Sequence, residues 1–254
     1  MYGKHAIKPL LPLFQRHNQF VEHHRTLKLH GKKGIRHLVF LFLLHRSAGQ
    51  NQQINIRLRT FAVRLGHPAA TCLQSPFVHY VATNLPNNAR TIFFGLREAK
   101  PDLVGIAIFD RLETSLQSAN GLTELMWQRR ELENYLCSED VLMAYASGTE
   151  EKNLFTASQE PKRREAMSAA IEKTAAALAA LDKPGPWSVD IKVTDEFLDP
   201  LFKSYFQKLR LPITFRKADY HQLARFVARE RIDPEIKQKL DAICATANKA
   251  KPRK

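Results

Sequence analysis

The sequence predicts an α/β fold: a mostly parallel sheet with flanking crossover helices, followed by a helical C-terminal region. Three observations predict it. Between His37 and Phe109, apolar runs of strand length alternate with amphipathic runs of helix length. The run Val104-Gly-Ile-Ala-Ile-Phe109 ends abruptly at Asp110, as a buried parallel strand does at the carboxyl edge of its sheet. Beyond residue 160, apolar residues recur at helical spacing.

Residues 1–36 are rich in His, Lys and Arg without a clear period, which predicts a loosely ordered basic segment. His37–Leu44 reads as the first strand and Gln53–Leu65 as a helix, with Ile54, Leu58, Phe61, Ala62 and Leu65 on one face. Phe77–Val81 reads as a strand, Asn88–Ala99 as a helix stopped by Pro101, and Val104–Phe109 as a third strand. Strand, helix, strand, helix, strand argues for crossover connections and an α/β domain over 37–150. Arg129–Leu136 has two readings. Extended, it sets Glu131, Glu133 and Tyr135 on one side; helical, the two acids diverge. Extended is favoured, because Ser138 has the character of an N-cap, with Glu139 and Asp140 in the first turn of a new helix.

A polar stretch from Ala146 to Gln159 reads as a linker or loop. The region 160–248 is then expected to be mainly helical. Pro161–Leu181 is an alanine-rich helix with proline at its first position and a stop at Pro184-Gly-Pro186. Ser188–Val193 alternates weakly, as an edge strand would. Thr194 is the expected cap of an amphipathic helix that buries Phe197, Leu198, Leu201, Phe202, Tyr205, Phe206 and Leu209. Short helices are expected over Asp219–Val227 and after Asp233-Pro234, the latter with Ile236, Leu240, Ile243 and Cys244 inward; 249–254 is a basic tail.

The 254 residues carry a net charge of +14, and most of the excess sits in residues 1–60, with eleven Lys and Arg against one acid, Glu22. A basic balance suits nucleic acid or another polyanion. Cys72, Cys137 and Cys244 form no metal spacing and no disulfide framework, so they read as reduced thiols of a cytoplasmic protein. Leu38–Leu44 is too short to span a bilayer; it suits a buried strand, and also the apolar core of a signal peptide with an overlong basic leader. No membrane partner is expected. The histidines cluster in the first 60 residues without a metal-binding pattern. There is no GxxxxGK[ST], so no nucleotide site, and no GxSxG or HExxH.

The chemistry-bearing residues follow the third strand. Asp110 and Glu113, in Phe-Asp-Arg-Leu-Glu, offer two carboxylates at a rigid edge, as a hard metal ion requires. The same pattern also suits an Asp that caps the next turn beside a solvated Glu113. In Arg129-Arg-Glu-Leu-Glu-Asn-Tyr135 the arginines could grip phosphate and Glu131 and Glu133 could complete a metal site, or the whole could be surface ion pairs. Lys217, in Phe215-Arg-Lys-Ala-Asp219, could neutralise phosphate charge or be an ordinary surface lysine.

Val104-Gly-Ile-Ala-Ile-Phe-Asp-Arg-Leu112 followed by Arg-Arg-Glu-Leu-Glu-Asn-Tyr-Leu136 resembles the TOPRIM half of OLD-type (overcoming lysogenization defect) ATP-dependent endonucleases and their AAA-ATPase relatives. The similarity runs from about Leu58 (Leu-Arg-Thr-Phe-Ala-Val-Arg-Leu-Gly-His-Pro) to about Ile243 and includes Phe215–Asp219. It implies a TOPRIM-like, Rossmann-like domain that acts on DNA. Mg²⁺ or Mn²⁺ would be held by Asp110, Glu113, Glu131 and Glu133. Asp110, Glu133 and Lys217 would be catalytic, with Arg111, Arg129, Arg130 and Lys217 on the phosphates.

The departures are equally plain. The family's first strand ends in a glutamate with an aspartate four residues on; by spacing this falls near Gly49–Gln53, which reads Gly-Gln-Asn-Gln-Gln. No acid occurs from His23 to Arg97, a gap that ordinary composition would produce on the order of once in ten thousand. Leu112 replaces the second Asp of Asp-x-Asp, with Glu113 one place late, and the ATPase half is absent. The expectation is a truncated, endonuclease-like chain whose first 55 or so residues are foreign to the family, a shifted reading frame being one source of such sequence. The rival expectations are a non-catalytic nucleic-acid binder, a remnant that binds an ATPase partner or a second copy, and a fragment that does not fold stably.

Overall fold

A computed structural model describes residues 39–44, 51–73, 78–81, 84–117, 120–148 and 154–250, with backbone alone for 39–44, 51–56, 79–81 and 154–157. The expected basic segment 1–36 and residues 251–254 of the tail lie outside the described residues. The sheet has four strands, β1 (Val39–Leu44), β2 (Val78–Val81), β3 (Val104–Phe109) and β4 (Leu122–Met126), in the order β2-β1-β3-β4. All neighbours are parallel: Leu41 pairs with Val78 and Ile106, and Ile106 with Thr123. Helix α1 (Asn51–Leu65) connects β1 to β2, and α2 (Pro86–Ala99) connects β2 to β3. These are the crossovers that parallel strands require.

The alternating side chains of β3 feed two cores. Ile106 and Ile108 join the larger, with Leu58 and Phe61 of α1; Ala107 and Phe109 join the smaller, with Ala89 and Phe93 of α2. A strand buried on both faces must be apolar throughout, which is why β3 is legible as a continuous run. Each fully buried side chain of Leu or Phe size contributes roughly 1.5–3 kcal/mol. Strand β4 was not expected. Its inward position Glu124 breaks the apolar pattern, and that carboxylate is fully covered and gripped by Arg90 through Nε at 2.7 Å and Nη2 at 2.6 Å.

Beyond the sheet come α3 (Glu139–Ser147), α4 (Leu154–Ala180), α5 (Asp199–Leu209) and α6 (Pro234–Asn248). Ser138 caps α3 by accepting the Val141 N–H, and Asp233 caps α6 by accepting that of Glu235 at 2.9 Å, both as their sequence positions predict. The larger core is shared: Phe197, Leu201 and Phe202, and Ile236, Leu240 and Ile243 of α6, belong to the same cluster as Ile106 and Ile108.

Several local expectations are corrected. Arg129–Leu136 is not extended; Leu132–Tyr135 is a 3-10 turn, because Glu131 and Asn134 satisfy each other, the Glu131 N–H on Asn134 Oδ1 at 3.0 Å and the Asn134 N–H on the Glu131 carbonyl at 3.1 Å. Ser188–Val193 is no strand but a series of bends, in which Ser188 Oγ accepts the Asp190 N–H and Asn134 Nδ2 donates to the Ser188 and Ile191 carbonyls. Thr194 caps nothing; Val193 is already helical and a π turn, Thr194–Leu198, leads into α5. Pro161 lies inside α4, which starts at Leu154. Asp219–Val227 is instead a 3-10 segment, Lys217–Arg225, turned by the Asp219 carboxylate accepting the Arg216 N–H at 3.0 Å.

Candidate functional site

The strand order locates the site. From β1 the chain crosses to β2 on one side, then returns to β3 on the other side of β1. Such a reversal opens a crevice at the carboxyl ends of the two strands, where ligands of open α/β sheets bind. Asp110 is the first residue after β3. It is half-buried, and Asn84 pins its backbone by accepting the Asp110 N–H at 3.0 Å.

The 3-10 turn after β4 brings two more acids to this edge. Glu131 is 3 % exposed, and its Oε1 accepts the Thr194 N–H at 2.6 Å. Burial, then the negative charge of Glu133, and to a lesser degree that of Asp110, push its carboxyl up to about 7; the Thr194 N–H opposes this. Glu133 is fully buried and receives Nη1 of Arg57 at 2.5 Å. Asp110, Glu131 and Glu133 thus form one electrostatically linked set. Glu113 stands apart, with its side chain 86 % exposed and ion-paired to Arg130 at 3.2 Å.

The cations sit around these acids, each with a partner. Arg111 binds Asp190 at 2.7 Å and the Gln128 carbonyl at 3.2 Å. Arg129 binds Asp233 at 3.2 Å and lies over the Tyr135 ring. The Arg111 N–H reaches the Arg130 carbonyl, and the Arg130 N–H the Val189 carbonyl, which ties the edge to the bends before α5. Lys217 binds Asp195 at 2.7 Å. Burial works against its charge, but the bond to Asp195 and the charges of Asp195, Glu131 and Asp199 outweigh burial and hold the ammonium above its ordinary range.

Four contributors were not foreseen in the sequence: Arg57, Asn84, Asp195 and the Tyr135–Glu235 pair. Arg57 had a legible signal, since it lies one turn before Phe61 on the inward face of α1. The Tyr135 hydroxyl donates to Glu235, which also takes the Gln128 N–H at 3.0 Å and Lys239 at 2.9 Å, so α6 is bolted to the end of β4. No local pattern announces a contact across 100 residues. A cavity of about 710 Å³ opens beside this bolt, lined by Arg129, Tyr135, Asp140, Arg231 and Asp233 among others, but not by Asp110, Glu131 or Glu133. Four of its charged side chains are joined in pairs, Arg129 with Asp233 and Arg231 with Asp140.

The described residues contain no group of three His, Cys, Asp or Glu side chains arranged to hold a metal ion. They also contain no helix long and apolar enough to cross a membrane. Comparison with protein-family models finds no match, and comparison with curated proteins finds none.

Proposed function

We propose that the carboxyl edge of this sheet is a nucleic-acid phosphate site on a TOPRIM-like scaffold of the OLD endonuclease type, and that the chain binds the DNA backbone there without cutting it. The observation that carries this reading is that Arg111 and Arg130 stand beside Asp110 and Glu131 in the chain after β3 and β4, with Arg129 next to Arg130 and Lys217 within reach of the charge of Glu131. Their ion pairs are partly exposed to solvent, and exposed pairs are worth about 1 kcal/mol or less. A phosphate can therefore replace the carboxylate partner, with release of counterions from the DNA.

In the family resembled, a divalent metal such as Mg²⁺ or Mn²⁺ supplies the activated water and stabilises the leaving oxygen. The residues as arranged do not fit one: Glu113 is turned to Arg130 and Glu133 is held by Arg57. Binding is therefore favoured over hydrolysis. The endonuclease reading draws on one observation, the concentration of negative charge that raises the Glu131 carboxyl, because a hard cation would relieve it.

Fluorescence anisotropy with a labelled duplex tests the proposal. Affinity should fall steeply between 50 and 200 mM salt, and Arg129→Ala or Arg130→Ala should each lower the logarithmic salt slope by about 1. Supercoiled plasmid should stay intact with Mn²⁺. Absence of binding at low salt ends the proposal. Nicking with Mn²⁺ that disappears in Asp110→Ala would instead establish the endonuclease reading.

A further inference from the structure

We infer that a cavity of about 420 Å³, bounded by α3, α4, α5 and the 3-10 segment Lys217–Arg225, binds a small aromatic carboxylate. It shares no lining residue with the carboxyl edge of the sheet, so this goes beyond the reading above and does not rest on nucleic acid.

One wall of the cavity is aromatic. Between ring centroids, Tyr145 of α3 meets Phe226 at 5.7 Å and Tyr205 of α5 at 6.3 Å, and Tyr205 meets Phe206 at 5.2 Å, each pair edge to face. The volume lies at the small end of the roughly 300–1,000 Å³ of ligand pockets, which combine such apolar walls with a few polar groups.

The polar groups here are unpaired. The hydroxyls of Tyr145 and Tyr205 have no hydrogen-bond partner among the described residues, and neither oxygen is sealed from solvent. Tyr205 as a whole is only 3 % exposed, so the space its hydroxyl meets is the cavity it lines. A tyrosine buried to this degree normally bonds its hydroxyl. Two without partners on one wall leave room for an acceptor. Burial pushes both hydroxyls above the ordinary tyrosine range, so at neutral pH each keeps the proton it would donate. Arg163 donates Nη2 to the Ser147 carbonyl at 3.2 Å, leaves Nε buried without a partner and holds no carboxylate among the described residues. The Arg225 side chain is exposed and has no partner among them. Glu160, the third charged residue of the lining, has an interaction of its own. In the larger cavity beside α6, by contrast, Arg129 and Arg231 each hold an acid.

These groups select the ligand. Guanidinium and phenol donors both suit carboxylate oxygens, and the wall suits a flat ring. Two arginines against one glutamate leave a single positive charge, which a carboxylate balances. A phosphate monoester, at about −1.5 to −2 near neutral pH, exceeds it.

Calorimetric titration of the full chain with 2-naphthoate, without nucleic acid, tests the inference. One equivalent should bind and raise Tm. The uncharged 2-naphthamide should bind about tenfold more weakly or worse, and Tyr145→Phe and Arg225→Met should each weaken 2-naphthoate to a similar degree, as loss of a hydrogen bond to a charged group requires. The saturated decahydro analogue and 2-naphthyl phosphate should also bind less tightly than 2-naphthoate. Because the Tyr145 hydroxyl has no partner to lose, Tyr145→Phe should leave the Tm of the ligand-free chain unchanged. The inference is overturned if 2-naphthoate does not bind, if the amide, the saturated analogue or the phosphate binds as tightly, or if affinity is unchanged in either folded variant. Should Tyr145→Phe not fold, Arg225→Met decides, since that side chain is exposed. None of these residues lies at the sheet edge, so carboxylate binding and duplex binding fail separately.

Discussion

Glu131 is a carboxylate whose ionisation the fold resists. Its carboxyl rises from an ordinary 4.5 to about 7, first because burial strips its water and then because Glu133 and Asp110 add negative charge. The folded chain therefore holds more protons than the unfolded chain between those values. Stability is greatest below pH 4.5 for this group and falls as pH rises to 7, by roughly 3 kcal/mol over the whole window. Glu131→Gln keeps an acceptor for the Thr194 N–H and cannot titrate. Its urea midpoint should improve relative to the unmodified chain on going from pH 5 to pH 8. An equal difference at the two pH values would show that this carboxyl does not carry the effect. Asp110 was readable as an edge carboxylate from the run before it. The neighbours that decide its chemistry, Glu131 and the Arg57–Glu133 pair, come from turns and helices far along the chain, so no spacing reveals them.

Secondary structure was most legible where one requirement dominated. Strand β3 is apolar because both faces are covered, and helices α1, α2 and α6 show their buried stripes. It was least legible where a polar group is buried with a distant partner. Strand β4 escaped notice because Glu124 needs Arg90 from α2, and the Arg129–Leu136 segment because Asn134, not its alternation, sets its backbone. The entry to β4 also rests on one glycine. Gly121 has φ +82°, and a Cβ there would lie 3.1 Å from the Leu103 carbonyl oxygen and 3.1 Å from Arg97 Nη1. Gly121→Ala should cost about 1–3 kcal/mol, from the left-handed backbone and the carbonyl contact together. A Tm equal to that of the unmodified chain would show that the turn adapts.

Across residues 36–254 the larger core joins the sheet to the C-terminal helices. The aromatic centre of that core is Phe202, within 6.4 Å of Tyr145, Tyr205, Phe215 and Tyr220 by ring centroids. Phe202→Ala should cost about 3–5 kcal/mol. Because the core is continuous, it should shift a single unfolding transition seen alike by circular dichroism and tryptophan fluorescence. Separate transitions would mean that sheet and helices unfold independently.

Periodicity and composition were enough to specify a parallel α/β sheet with a helical region after it, the caps at Ser138 and Asp233, and a carboxylate at the end of β3. Those features depend on residues a few positions apart, where side-chain spacing and backbone capping act directly. The long-range polar contacts were settled only by folding: the ion pairs of Arg57 with Glu133, Arg90 with Glu124 and Lys217 with Asp195, and the hydrogen bond from Tyr135 to Glu235. Charges and hydrogen bonds act through space, and which groups share a buried pocket depends on how strands and helices from distant parts of the chain come to rest against one another.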